Sequence, residues 1–151
     1  MLRMMFRALL SAMAIFLLTA VQGCETGGKG NGSNDFGSND VNVVSCLGDS
    51  MVEMGDPPWP IILGGLSGKT IVNRGAGGTT SSYGAGAVNG ILAMDKPGYL
   101  IIQFGANDAI HRSEPLGTAE NLRRIVQAAK INHTVPVVMT IMPMYSAHAG
   151  D

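Results

Sequence analysis

The chain has 151 residues, enough for one domain of ordinary size and too few for two. Hydrophobic residues make up 46% of it and charged residues 14%, a composition that excludes a disordered tail. The formal charge of −1, from 10 basic and 11 acidic residues, argues against a nucleic-acid partner or an anionic membrane surface. Two cysteines are too few for a disulfide scaffold.

The N-terminus has the features of an export signal. Arg3 and Arg7 precede an uncharged apolar run, Ala8–Val21, which is short for a membrane span but typical of a signal peptide. The run ends in VQGC, which resembles the bacterial lipobox, with Cys24 as the lipidated residue. We therefore expect residues 1–23 to be a signal peptide and the protein to be exported. It would then be a lipoprotein anchored to a membrane through Cys24, or a periplasmic or extracellular protein if the cysteine is there by chance.

Residues 24–40 are rich in Gly, Asn, Ser and Asp, and Phe36 is their only large apolar side chain. Such a segment buries too little surface to offset its ordering entropy, so it is predicted to be a flexible linker. The folded domain is then 41–151, beginning near Val41.

Within this domain, runs rich in β-branched and other apolar residues predict strands, and helical segments separate them. The predicted strands are Val41–Leu47, Thr70–Asn73, Tyr99–Phe104 and Val135–Met142. Trp59–Leu66 is predicted to be a short helix. Thr118 is predicted to cap a longer helix with apolar residues at helical spacing, Leu122, Ile125, Val126 and Ala129. This alternation predicts an α/β fold with a parallel sheet.

Small polar residues follow three of these strands. The first strand leads into Gly48-Asp49-Ser50, the second into GAGGTTSS, and the third into GAND, which contains Asn107. Because the carboxyl ends of parallel strands share one edge, these segments are expected to form one crevice. A serine on a tight strand-to-helix turn, flanked by glycine amides and an asparagine amide, predicts a nucleophile with an oxyanion hole.

The segments CLGDSMVEMG, NRGAGGTTS and FGAND resemble the first three sequence blocks of the SGNH or GDSL hydrolases, which are esterases and lipases. The resemblance implies a flavodoxin-like, three-layer α/β/α fold. It implies that Ser50 is the nucleophile and that Gly78 and Asn107 supply oxyanion-hole donors together with the Ser50 N–H. It further implies an ester substrate (an acyl lipid, an acetylated carbohydrate or a small aryl ester) and no cofactor or metal.

The fourth block of that family, an Asp-x-x-His near the end of the domain, has no counterpart in the usual place. The sequence ends at Asp151, just beyond the fourth predicted strand, so we expect the domain to be incomplete at its C-terminus. The alternative to an esterase is a catalytically inactive, truncated surface lipoprotein or binding module that lacks the Asp/His pair.

No histidine is assigned as the base. Asp108 and His111 also spell Asp-x-x-His, but they directly follow Asn107, where the family's pair does not lie. His148 follows the fourth strand, and His133 is expected at the opposite edge of the sheet. Asp49 and Asp108 are predicted to fix the local backbone, and Cys46 is predicted to be a buried apolar residue.

Overall fold

The computed structural model describes residues 34–141, and residues 35–141 belong to one compact unit. The expected signal peptide, Cys24, the first part of the expected linker and His148 lie outside the described residues. Four strands form one sheet: β1 (Asp40–Gly48), β2 (Thr70–Gly75), β3 (Pro97–Gln103) and β4 (Val135–Val138). Their order in the sheet is β2-β1-β3-β4, and every pairing is parallel. The predicted parallel sheet is therefore confirmed.

Helices connect the strands. Two lie between β1 and β2, one between β2 and β3, and two between β3 and β4. In chain order they are α1 (Ser50–Glu53), α2 (Trp59–Ser67), α3 (Ser81–Asp95), α4 (Ala106–Ile110) and α5 (Pro115–Ile131). Within the described range, no helix combines the length and apolarity needed to cross a membrane.

Helices cover both faces of the sheet, as β2 shows. Ile71 contacts α2, where a Cβ on Gly64 would lie 3.1 Å from the Ile71 side chain. Arg74 points the other way and binds Asp95 at the end of α3. Because neighbouring residues of a strand face opposite sides, α2 and α3 lie on different faces. The α/β/α layering expected for the fold is present.

The main core lies between the sheet and the α3–α5 pair. Buried apolar side chains from β1, β3 and both helices meet there: Leu47, Ala85, Val88, Ile91, Leu92, Leu100, Ile102, Phe104, Ile125 and Ala129. Helix α3 was not predicted, because glycines at 84, 86 and 90 weaken its helical pattern. Gly84 has a packing reason, since a Cβ there would lie 2.3 Å from the Phe104 ring.

The expected start of α5 was wrong. The helix begins at Pro115, whose fixed φ suits the first helical position, and Thr118 lies inside the first turn. Thr118 instead donates its hydroxyl to the Asp108 carboxylate at 3.2 Å. The apolar face is confirmed: Ile125 and Ala129 are fully buried, and Leu122 and Val126 pack beside them.

Contacts with the sheet begin before Val41, inside the span expected to be linker. The Phe36 ring packs on Tyr99 with 5.5 Å between centroids. Asn39 donates its amide to the Asn132 carbonyl at 2.6 Å. Phe36, the only large apolar side chain of that span, thus packs against the sheet.

A half-buried ion pair between Arg74 and Asp95, joined by Ser45, connects β1 and the edge strand β2 to the end of α3. The Arg74 Nε donates to Asp95 Oδ2 at 3.1 Å, and Ser45 donates to the same oxygen at 2.7 Å. The Asp95 side chain is 4% exposed and that of Arg74 is 34% exposed. Burial alone would raise the pKa of Asp95. The hydrogen bonds from Arg74 and Ser45 and the charge of Arg74 outweigh it and hold this pKa below its usual range.

This arrangement predicts a pH-dependent contribution to stability. A carboxylate with a depressed pKa stabilises the fold above its unfolded pKa, and the gain is lost as pH falls through the folded pKa. We expect Arg74→Met to lower the free energy of unfolding at pH 7 by about 1–3 kcal/mol, since Arg74 is partly exposed. Urea unfolding at pH 7 and pH 3 should show this difference shrinking at the lower pH.

Arg123→Met is the control, because both partners of the Arg123–Glu120 pair are more than half exposed. It should cost less than about 0.5 kcal/mol at either pH. Equal destabilisation by Arg74→Met at both pH values would contradict the electrostatic explanation.

Candidate active site

The carboxyl ends of β1, β2 and β3 lie side by side at one edge of the sheet. Gly48 at the end of β1 pairs with Gly75 on one side and with Gln103 on the other. The Ala76 N–H donates to the Gly48 carbonyl at 3.0 Å, so β1 and the chain after β2 stay paired one residue beyond the end of β2. The segments that follow the three strands therefore start from neighbouring positions.

Ser50 is the first residue of α1, directly after β1, and it is half-buried. The preceding residue, Asp49, is the N-cap: its carboxylate accepts from the Met51 N–H at 2.9 Å. Asp49 is itself 1% exposed, so this cap is part of the core. The prediction that Asp49 fixes the local backbone is confirmed.

The single turn of α1 is pressed against the end of β2. A Cβ on Gly75 would lie 2.3 Å from the Glu53 backbone nitrogen and 2.7 Å from its Cα. The Asn73 amide donates to the Val52 carbonyl at 3.0 Å. The close approach and the Asn73 hydrogen bond thus hold the helical turn that begins with Ser50 against the end of β2.

The loop after β2, residues 76–80, passes beside the serine. A Cβ on Gly77 would lie 4.0 Å from the Ser50 Cβ and 2.8 Å from a carboxylate oxygen of Glu53. Gly78 has a φ of +73°, which favours glycine, and nothing lies within 4 Å of its missing side chain. Glu53 was not among the predicted site residues. Glu53 comes three residues after Ser50, and residues three apart lie on the same face of a helix, so the sequence could have placed it beside Ser50.

Asn107 is joined directly to this loop. It lies in α4, just past β3, and its amide donates to the Thr79 carbonyl at 2.8 Å. Thr79 is the residue after Gly78. Contacts therefore connect the loop to both Ser50 and Asn107, so the three predicted site residues belong to one region. Their roles as nucleophile and oxyanion donors stay predictions.

The neighbouring Asp108 is buried, with 5% exposure. One carboxylate oxygen accepts from the Ser81 N–H at 2.9 Å, and the other accepts from the Ser81 hydroxyl at 2.5 Å and from Thr118. Asp108 thus fixes its loop, as predicted, through the start of α3.

Neither described histidine is arranged as a catalytic base. His111 is exposed at the end of α4, and Asp108 does not orient it, since both oxygens of Asp108 bind Ser81 or Thr118. The Nδ1 atom of His133 lies 3.2 Å from a carboxylate oxygen of Asp35. His133 precedes β4, at the opposite edge of the sheet, as expected.

Cys46 is fully buried in the middle of β1, and burial raises the pKa of its thiol to about 12. The prediction that it is an apolar core residue is confirmed, since such a thiol does not ionise at neutral pH. Among residues 34–141, no cluster of three or more His, Cys, Asp or Glu could hold a metal ion.

The model of the GDSL-like lipase/acylhydrolase family matches residues 46–151, and the chain belongs to this family. The match covers the end of β1 that leads to Ser50, the loop with Gly78 and the segment with Asn107. The family expected from the three sequence segments is thereby confirmed.

Among curated proteins, the chain is similar to "Thioesterase 1/protease 1/lysophospholipase L1" of Escherichia coli K12. The two are 29% identical over 107 residues, which is 67% of this chain and 51% of that protein. The chain therefore spans about half the length of that relative.

Solved structures give the same picture of the fold. A lipolytic protein of the G-D-S-L family from Desulfitobacterium hafniense superimposes with a TM-score of 0.60 at 28% identity, over 64% of this chain and 58% of that one. The SGNH-hydrolase family esterase AlinE4 superimposes with a TM-score of 0.61 at 23% identity, over 68% and 60%.

The contact between Gly75 and α1 leads to a test of how the serine is held. Gly75→Ala should lower the free energy of unfolding by about 1–3 kcal/mol, because its Cβ would overlap the Glu53 backbone. Gly65→Ala is the matched control, since Gly65 lies within α2 and a Cβ there meets nothing within 4 Å. It should leave stability unchanged or raise it by up to about 1 kcal/mol. Chemical denaturation of both variants checks this, and equal stabilities would show that α1 yields easily.

Proposed function

We propose that this protein is a serine hydrolase of the SGNH type, which cleaves carboxylic esters through an acyl-serine intermediate. The observation that carries the proposal is the meeting of three segments at one sheet edge. Ser50 begins α1, the loop with Gly78 passes beside it, and Asn107 is hydrogen-bonded to that loop. Family membership supports the same chemistry.

In the proposed reaction, the Ser50 hydroxyl oxygen attacks the ester carbonyl carbon and transfers its proton to a base. The carbonyl oxygen then carries the negative charge, and the N–H groups of Ser50 and Gly78 and the Asn107 amide donate to it. Collapse of this intermediate breaks the bond to the alcohol, which leaves with the proton. Water then attacks the acyl-serine and releases the acid. One such donor accounts for about 10²–10³ in rate.

A serine hydroxyl requires a base, which in turn needs orienting. His133 is held by Asp35, and His111 lacks an orienting carboxylate from Asp108. We therefore propose that the base lies outside residues 34–141. His148 is a candidate within this chain.

The proposed substrates are acyl lipids, acetylated carbohydrates or small aryl esters. The Escherichia coli relative is named a thioesterase and lysophospholipase, and AlinE4 is named an esterase, which supports substrates with a transferable acyl group. A catalytically inactive lipoprotein or binding module is the alternative, and it predicts no turnover from the same crevice.

Replacement of the nucleophile tests the proposal. Ser50→Ala in the full chain should lower p-nitrophenyl acetate hydrolysis at least about a thousandfold and abolish labelling by a fluorophosphonate probe. Ser67→Ala is the control, because Ser67 is exposed at the end of α2 and binds only local backbone. It should keep both signals. Equal background rates in folded wild type and Ser50→Ala would favour the inactive alternative.

We also propose that the protein is exported and anchored through a lipid on Cys24. The support is the sequence alone: a basic start, an apolar run and the lipobox-like VQGC. Expression in a bacterial host with an alkyne-tagged fatty acid should label the wild-type protein and direct it to the detergent phase.

Cys24→Ala should lose the label, while Cys46→Ala, at the chain's other cysteine, should keep it. An unlabelled wild-type protein would leave a plain signal peptide as the explanation.

A further inference from the structure

We infer that Asp108 is a positioning residue for the oxyanion hole: it ties the segment carrying Asn107 to the start of α3, so that the Asn107 amide stays beside Gly78. The inference rests on the proposed function for its catalytic meaning. Its structural part stands on hydrogen bonds alone and is tested separately.

Both carboxylate oxygens of Asp108 accept hydrogen bonds from other residues of the protein. Its Oδ2 accepts from the Ser81 N–H at 2.9 Å, and its Oδ1 accepts from the Ser81 hydroxyl at 2.5 Å and from the Thr118 hydroxyl at 3.2 Å. Within the described range, no basic side chain forms an ion pair with it. The favourable partner is the amino end of α3, where the helix dipole and free N–H groups attract negative charge.

Asp108 supplies to α3 a contact that its own N-cap does not make. Thr80 occupies the cap position and forms no side-chain hydrogen bond there. An N-cap side chain usually accepts from the second or third helical residue, whereas Asp108 accepts from the N–H of Ser81, the first residue of α3. Here the acceptor comes from α4, after the next strand, so capping the helix also docks α4 against it.

The adjacent residues Asn107 and Asp108 therefore bind two residues that are close in sequence, Thr79 and Ser81. Asn107 donates to the Thr79 carbonyl at 2.8 Å, and Asp108 binds Ser81 through both of its oxygens. Either contact alone would leave α4 free to pivot about it. Together they set both the distance and the angle of the Asn107 amide relative to the loop that contains Gly78.

The network continues into the core through α5. Asn121 donates its amide to the Ser81 hydroxyl at 3.1 Å, and Thr118 donates to Asp108. α5 in turn packs on the sheet through Ile125, which is fully buried. The hydrogen bonds of Asn107 and Asp108, together called the clamp below, are thus connected to the core of the domain as well as to the loop.

A catalytic donor must stay within about 0.5 Å of its working position, so a looser clamp should act on the transition state more than on substrate binding. Asp108→Asn preserves the shape of the side chain but places an NH₂ group where an oxygen accepts from Ser81. We expect this variant to release the Asn107 amide from Thr79 part of the time.

The first arm of the test needs no activity. In ¹⁵N-labelled full chain, the side-chain NH₂ signals of Asn107 are identified by their loss in Asn107→Asp. Asp108→Asn should increase the hydrogen-exchange rate of the bonded proton at least tenfold. Ile91→Val, a core change in the distal half of α3, is the control for general loosening and should leave this rate within about twofold. Unchanged exchange in folded Asp108→Asn overturns the inference.

Should Asp108→Asn not fold, Ser81→Ala serves instead, since it removes one donor and keeps the Ser81 N–H. It should raise the exchange rate by a smaller factor, and an unchanged rate overturns the inference equally.

The second arm uses turnover of p-nitrophenyl acetate. Asp108→Asn should lower kcat about 10- to 100-fold with KM changed less than twofold. In the Asn107→Ala background it should have little further effect, because its action passes through Asn107. Full additivity of the two changes overturns the inference. Absent turnover in the wild type counts against the proposed function alone, and the exchange arm still decides the role of Asp108.

Discussion

The carboxyl ends of β1 and β2 meet as a pair of glycines, and the remainder of the site depends on the absence of side chains there. A Cβ on Gly48 would lie 2.5 Å from the Gln103 carbonyl oxygen, and one on Gly75 would overlap the Glu53 backbone. Three strand ends and the turn carrying Ser50 therefore touch backbone to backbone. Backbone contacts of this kind have little freedom to adjust, so the points at which the three segments leave the sheet follow from the sheet itself.

Much of this arrangement could be predicted because its signals are local. Runs of β-branched residues identify the strands, and parallel pairing then places Ser50 and Asn107 at one edge. The cap on Asp49 is likewise readable from the sequence, since it joins residues two apart. The family resemblance added the roles of these residues, which no spacing argument could supply.

What the sequence did not reveal has physical reasons. α3 was missed because three glycines obscure its pattern, and Gly84 is needed by Phe104, a contact made only after folding. Thr118 was taken for a helix cap because its hydroxyl is typical of one. Its partner, Asp108, lies ten residues earlier, and the bond between Asp108 and Ser81 spans 27 residues. Such long-range pairings leave no periodic trace in a single sequence.

Helix α3 is pinned at both of its ends. Asp108 holds Ser81 at the first turn, and Arg74 and Ser45 hold Asp95 at the last. A helix held at both ends resists sliding along the sheet, so the preceding loop, residues 76–80, joins α3 at a constant position. The ion pair at Asp95 therefore lies a whole helix away from Ser81 and yet helps to hold the loop that leads to Ser81.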